Sequence, residues 1–309
     1  MNNFSIAIHG GAGTLVKGMM TPELEANYKS VLKSALDAGY LVLENGGTAI
    51  DAVEKAVIIL EDSHLFNAGK GAVFTAEEMH EMDASIMDGK TLNAGAVSLI
   101  AGIKNPVSLA KDVMEKSEHV FLAGEGAMQF AKANAYKIED KTYFYDELRH
   151  QQWLEIKDTD SFQLDHAKKK DSKFGTVGAV ACDKSGNIAA ATSTGGMTNK
   201  KFGRVGDSPM IGAGNYANNK TCAISCTGSG EFFIRGVVAY DVACLIEHKE
   251  WSLEKASNEV IFKRILEIGG DGGLIAVDAK GNIAMPFNTE GMYRASKSSN
   301  GKEEVSIYK

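Results

Sequence analysis

Two stretches in the second half of the chain repeat one pattern, and that pattern limits the fold more than any other feature. "VGAVACDKSGNIAAATS" (177–193) and "GGLIAVDAKGNIAMPF" (272–287) each hold an apolar run, a short polar turn and a second apolar run. Asp183-x-x-Gly186-Asn187-Ile188-Ala189 matches Asp278-x-x-Gly281-Asn282-Ile283-Ala284. Each stretch reads as two antiparallel strands joined by a tight turn, and together they predict neighbouring hairpins in one architecture. The plainer reading, that D-x-x-G-N is only a good turn, stays open. Between them, "GEFFIRGVVAYDVACLIEHK" and "SLEKASNEVIFKRILEIG" read as amphipathic helices, the second capped by Ser252. The first half mixes both types. "FSIAIHGGAG" reads as a strand entering a glycine turn. A helix follows Thr21 as N-cap, with Pro22 first and Gly46 beyond its end. Thr48 caps "AIDAVEKAVIIL", and Asn105 caps a helix that starts at Pro106. "EGAMQFAKANA" and "YDELRHQQWLEI" read as two further helices, and "HEMDASIMDG" and "AGAVSLIAG" as strands. The class is α+β.

At 309 residues, 44% hydrophobic, the chain can bury a large core in one domain or two small ones. The single credible boundary is the polar, lysine-rich loop from about 158 to 175, which has no apolar period. A net charge of −7 argues against a nucleic-acid partner. The absence of a long apolar run argues against a membrane span, and the N-terminal residues lack a secretory pattern, so a cytoplasmic protein is expected. The cysteines, Cys182, Cys222, Cys226 and Cys244, form no C-x-x-C pair and read as buried free thiols. Dinucleotide, phosphate-loop, zincin and α/β-hydrolase motifs are missing; "HEMDA" lacks the second histidine.

Chemistry enters at Gly175-Thr176, where the loose arm meets the first hairpin. An ordinary loop-to-strand junction and a site of chain cleavage both read this way. A threonine hydroxyl is a poor nucleophile without a base beside it. Cleavage before Thr176 would free its own α-amine, whose pKa near 8 suits general-base work at neutral pH. Hairpin pairing brings Thr194 of "TSTGGMTNK" toward Thr176. In "GRVGDSP", Arg204 and Asp207 sit three apart in a glycine-flanked loop. They can clamp the carboxylate and ammonium of a zwitterion, or form a local ion pair. "CTGSGE" supplies main-chain N–H groups at a helix start, suited to an oxyanion hole, or simply opens a helix.

These stretches together, with "IAIHGGAG", "LFNAGKGAVFT", "FGRVGDSPMIGAGNYANN" and "PFNTEGMYRA", resemble the plant-type L-asparaginases, the isoaspartyl peptidases, over nearly the whole chain. The resemblance implies a four-layer αββα sandwich of the N-terminal-nucleophile hydrolase type, self-cleaved into residues 1–175 and 176–309 and assembled as a dimer of such heterodimers. Its substrates would be L-asparagine and β-aspartyl dipeptides. It makes Thr176 the nucleophile, Gly175-Thr176 the cleaved bond, and Thr194 the partner of the nucleophile. Arg204 and Asp207 become the clamp, with Val205 and Gly206 between them. Thr227 and Gly228 become the oxyanion hole, with Ser229 and Gly230 in the same turn, and Asn67 is a site asparagine. Ser229 stands where bacterial relatives often have threonine. The loop "LEDSHLFNAGK" resembles a structural sodium loop that uses the main-chain carbonyls of Leu60, Glu61, Ser63, Phe66, Ala68 and Lys70; no catalytic cofactor is implied. A glycosylasparaginase would carry D-T at the junction and T-S-T-N-G after the second strand, where this chain has Gly175-Thr176 and "TSTGG". An uncleaved small-molecule binder would leave catalytic positions empty, and here they are filled.

Overall fold

The computed structural model describes residues 3–158 and 175–309. The expected loop from 158 to 175 therefore lies outside the described residues except at its two ends. Among the described residues the strands are β1 (Ser5–Gly13), β2 (Met82–Asp88), β3 (Ala94–Ile100), β4 (Phe121–Ala123), β5 (Val177–Cys182), β6 (Ile188–Thr194), β7 (Asn215–Ala217), β8 (Ala223–Gly228), β9 (Gly272–Val277), β10 (Ile283–Ala284), β11 (Gly291–Ser298) and β12 (Glu303–Tyr308). The helices are α1 (Pro22–Glu44), α2 (Ala49–Glu61), α3 (Pro106–Lys116), α4 (Gly124–Ala133), α5 (Glu147–Leu154), α6 (Gly230–Gly236), α7 (Val238–Lys249) and α8 (Leu253–Glu259), the last running through a π-turn at Val260–Arg264 into a short final turn, α9 (Ile265–Glu267).

One sheet has the order β12-β11-β1-β5-β6-β2-β3-β4 and the other β10-β9-β8-β7. Neighbours are antiparallel except β3 and β4. The two matched hairpins thus fall in different sheets rather than side by side in one. They are neighbours across the stack: a Cβ on Gly186 would stand 3.2 Å from the Ala279 carbonyl oxygen. Their shared sequence makes the same Asx turn twice. Asp183 Oδ1 accepts from the Ser185 and Asn187 N–H groups at 2.8 and 3.0 Å, and Asp278 Oδ1 from Lys280 and Asn282 at 2.9 and 3.0 Å.

Strand alternation sorts the core into three clusters. Val177, Ala179 and Ala181 of β5 point to α1–α3, among Leu32, Leu36 and Val57. Val180 and Cys182 point the other way and pack with Ile188, Ile275 and Val277 between the sheets. Ile224, Cys226 and Leu274 turn their backs on that layer and meet Phe233, Val242 and Ile265. Strands buried on both faces need small apolar residues for close stacking, hence their alanine and glycine content.

The expected N-caps Thr21, Thr48 and Ser252 accept main-chain N–H bonds from Leu24, Asp51 and Lys255 at 3.2, 3.2 and 3.3 Å. Asn105 does not cap. Its amide donates to Asp62 Oδ1 at 3.1 Å, while Glu61 Oε1 at the end of α2 takes the Val107 N–H at 3.0 Å. A buried carboxyl from a neighbouring helix satisfies the free N–H in place of the local side chain. The helix expected across "GEFFIRGVVAYDVACLIEHK" also breaks. Val237 is left-handed at φ +46°, ψ +46°. The break lets the first N–H groups of α7 bond outside the helix, Ala239 to the Ala213 carbonyl at 3.1 Å and Tyr240 to Gly212 at 2.8 Å. A left-handed L-residue costs about 1–2 kcal/mol, so Val237→Gly should raise the unfolding free energy by about 1 kcal/mol. Urea denaturation measures this; an unchanged or lower midpoint would mean that the half-exposed valine side chain contributes more than its backbone strain costs.

Candidate active site

The hairpin of β5 and β6 builds the site. Val177 pairs with Ser193 and Gly178 with Thr192, so the next step of the register sets Thr176 opposite Thr194. On the other side of β6, Thr194 pairs with Asp83 of β2. Thr176 is 7% exposed, at the edge of a small cavity of about 30 Å³. Of the residues singled out in the sequence, Gly175, Thr176, Thr194, Arg204, Gly206, Asp207 and Gly228 line it. Gly196, Met197 and Ser208 also line it, and sequence reasoning missed all three. Such a cavity has room for about two water molecules while the chain still runs through Gly175. A groove of about 960 Å³ near Trp251 and Asp278 is far larger, but its scattered lysines and acids converge on no nucleophile.

Each hydroxyl has a defined partner. Thr176 Oγ1 lies 3.2 Å from Ser208 Oγ. Thr194 Oγ1 accepts the Gly196 N–H at 3.0 Å, which leaves its own hydrogen free to donate. Thr227 Oγ1 accepts the Ala12 N–H at 3.2 Å and keeps a free hydrogen in the same way. A Cβ on Gly175 would stand 3.3 Å from Thr227 Oγ1, so that hydroxyl borders the Gly175 end of the 175–176 peptide. Gly11, at φ +112°, lets β1 pass the same place: a Cβ there would stand 2.8 Å from the Gly175 nitrogen. Asn67 does not line the cavity. Its amide donates to the Gly196 carbonyl at 2.7 Å and accepts from Val73 at 3.1 Å, which fixes the cavity wall. Ser229 is likewise turned away. Its hydroxyl donates to Asp271 Oδ1, and its N–H donates to the Asp271 carbonyl at 3.0 Å.

Arg204 and Asp207 do not bond each other. Arg204 is held by Glu231, Nε to Oε1 at 2.8 Å and Nη2 to Oε2 at 2.9 Å. That uses one edge of the guanidinium and leaves the Nη1 edge facing Gly206, where a Cβ would come within 3.0 Å. Asp207 is buried, and its Oδ2 has no hydrogen-bond partner. Burial pushes its carboxyl up to about 7, against the pull of the nearby Arg204 charge. Gly230 and Gly214 let the chain close on it: Cβ atoms there would meet Asp207 Oδ1 at 2.8 Å and Oδ2 at 2.9 Å. A buried carboxylate oxygen without a donor is costly, and a ligand ammonium would satisfy it. An α-amino acid should therefore bind best with Asp207 ionised. Its affinity should fall about tenfold per pH unit below about 7 and level off above it. Calorimetric titration across pH 5–9 tests this; Asp207→Asn should bind weakly and flatten the profile.

The 60–71 loop presents oxygens rather than charges. Cβ atoms on Gly69 and Gly71 would stand 2.4 Å from the Glu61 carbonyl oxygen and 2.1 Å from that of Phe66, so only glycine lets these carbonyls crowd inward. Leu60, Phe66 and Ala68 carbonyls take N–H bonds from Ser63, Ala68 and Gly71 and keep a second lone pair each. The Glu61 carboxyl is buried and pushed up to about 8 by desolvation. Lys70 turns its ammonium over the Tyr143 ring at 5.5 Å. Neutral, hard oxygens of this kind suit a singly charged cation better than a divalent one.

Comparison with known proteins gives the family. The sequence matches the asparaginase family over residues 2–307. It is 50% identical over 298 residues to an isoaspartyl peptidase of Escherichia coli (strain K12), covering 96% of this chain and 93% of that one. It is 40% identical to a probable isoaspartyl peptidase/L-asparaginase 2 of Arabidopsis thaliana over the full length of both. It is 43% identical to a plant-type L-asparaginase of Pyrococcus abyssi, covering 93% of this chain and 94% of the relative. With this similarity along its whole length, the chain belongs to the asparaginase family that includes the isoaspartyl peptidases.

Proposed function

We propose that this protein is a self-processing threonine amidohydrolase. It hydrolyses L-asparagine to L-aspartate and ammonia, and removes N-terminal β-aspartyl residues from dipeptides. The observation that carries the reading is the meeting of three things in one cavity: the Gly175-Thr176 peptide, a buried unpartnered carboxylate oxygen at Asp207, and the free edge of Arg204. The two stacked sheets, with apolar helices on their outer faces, support a single four-layer αββα unit.

In maturation, Thr176 Oγ1 attacks the Gly175 carbonyl carbon. The C–N bond breaks, an ester forms, and the freed nitrogen becomes the Thr176 α-amine; water then opens the ester. In turnover that amine takes the proton of the Thr176 hydroxyl as its oxygen bonds to the side-chain carbonyl carbon of the substrate, and loss of the C–N bond leaves an aspartyl ester on Thr176. Arg204 holds the substrate α-carboxylate and Asp207 the α-ammonium. The Thr227 hydroxyl and Gly228 N–H stabilise negative charge on the side-chain carbonyl oxygen. Ammonia, or the amine of the second residue, leaves with the returned proton, and water hydrolyses the aspartyl ester. The 60–71 loop holds a structural sodium ion through its carbonyls, outside the reaction. The mature protein assembles as a dimer of heterodimers.

Intact mass spectrometry and N-terminal sequencing should find a fragment starting Thr-Val-Gly-Ala-Val, and Thr176→Ala should stay one chain. A fully active single chain would overturn the reading. Thr227→Ala should lose about two to three decades in kcat with little change in KM. Sodium chloride, but not choline chloride at equal ionic strength, should raise the melting temperature to a plateau; equal effects of the two salts would remove the ion from the loop.

A further inference from the structure

Asn288, in "PFNTEGMYRA", does not line the cavity, yet its contacts lead to it. β8 brings Thr227 and Gly228 to the site, and main-chain N–H groups alternate from side to side along a strand. Cys226 donates to the Gly214 carbonyl on the β7 side at 2.9 Å, and Ser229 donates to the Asp271 carbonyl on the β9 side at 3.0 Å. The Gly228 N–H between them therefore faces the β7 side, one step beyond the Cys226 bond. The cavity opens there, and Gly228 lines it.

What lies behind Gly228 sets where that N–H points. Gly228 pairs with Gly272 of β9. A Cβ on Gly228 would stand 2.7 Å from Gly272 Cα, and one on Gly272 would stand 2.8 Å from Gly228 Cα. Either would also come within 2.8 Å of the Phe233 ring. The two main chains thus press on each other and on one ring, with no side chain between them to absorb a shift. Gly272 in turn is held from its far side by Asn288. The Gly272 N–H donates to Asn288 Oδ1 at 2.8 Å, and the Asn288 N–H donates to the Gly272 carbonyl at 2.9 Å. The side-chain amide has its own anchors. Nδ2 donates to the Ile261 carbonyl, inside the π-turn, at 3.0 Å and to the Gly270 carbonyl at 3.4 Å. An acceptor facing an N–H and a two-hydrogen donor facing two carbonyls suit a carboxamide, and they assign which end is oxygen. Ser229, next in the turn, ties the neighbouring Asp271 through its hydroxyl.

We propose that Asn288 is a positioning residue for the oxyanion turn: by fixing Gly272 it fixes the direction of the Gly228 N–H. The inference rests on the reading of Thr227 and Gly228 as donors to the substrate's side-chain carbonyl oxygen. Asn288 touches no substrate. The charges that grip the α-carboxylate and α-ammonium, Arg204 and Asp207, stand on the loop after β6, so loss of Asn288 acts on kcat and leaves binding in place.

Leucine and aspartate both approximate asparagine in size, so they separate hydrogen bonding from the filling of space. On matured enzyme, Asn288→Leu should lose about 10- to 100-fold in kcat with KM within about twofold, the size of loss that follows a misplacement of about 1 Å. Asn288→Asp keeps an acceptor for the Gly272 N–H and should retain more kcat than the leucine variant. Wild-type kcat in Asn288→Leu, a leucine variant at least as active as the aspartate one, or a change in KM alone would overturn the proposal. If the leucine variant does not fold, Asn288→Ala removes the amide without adding bulk: lower kcat at unchanged KM supports the proposal, and wild-type kcat overturns it. Thr227→Ala tests the oxyanion reading separately. Wild-type kcat there overturns both claims; a slow Thr227→Ala beside an Asn288→Leu of normal rate overturns this one alone.

Discussion

The pairing of β5 with β6 decides where Thr176 and Thr194 stand. Side chains alternate along a strand, so the register that sets Gly178 against Thr192 also puts Thr176 and Thr194 on the face between the sheets. A slip of one residue would turn Thr176 into the apolar layer under α2 and bring Val177 into the cavity. The tight Asp183–Asn187 turn and the burial of both strand faces hold that register. The Thr176 and Thr194 hydroxyls are thus positioned by the core itself, while the loop after β6 adds Arg204, Asp207 and the Ser208 hydroxyl.

Those charged groups are arranged with an imbalance. Arg204 is already neutralised by Glu231, while Asp207 is walled in by glycines with one oxygen unanswered. The free site is therefore short of positive charge at one point, although a guanidinium lies close by. Keeping Arg204 on Glu231 fixes the fork before any ligand arrives and reduces the ordering needed on binding. The bare Asp207 oxygen costs stability in the empty protein, as functional sites commonly do.

Much of this was legible in the chain. Caps such as Thr21 and Thr48 are local rules and hold as read. Thr176 and Thr194 are joined by a single hairpin, so their meeting follows from strand pairing alone. Arg204 and Asp207 stand out by their spacing, but Glu231, which holds Arg204, lies 27 positions from it and no local pattern announces it. Ser208 sits beside a proline in "GDSP" and looks like turn chemistry until the fold brings it to Thr176. Asn105 and Val237 failed for a related reason: distant groups, Glu61 in one case and the Gly212–Ala213 carbonyls in the other, outbid the local preference.

The order of strands in the larger sheet has a consequence for the life of the molecule after a break at Gly175-Thr176. β1 comes from the first piece, yet it lies between β11 and β5, both from the second. β2, also from the first piece, pairs with β6 of the second, so the two pieces are interleaved and neither could leave without stripping three ladders of main-chain hydrogen bonds. The uncut chain finds this arrangement as one molecule. The cut one, once fully unfolded, would have to find it as two, with a strand threaded into an already occupied place and a rate that depends on concentration. Cutting would thus turn a reversible fold into one held mainly by its own history, so that the protein's persistence would be set by how seldom the central strands part.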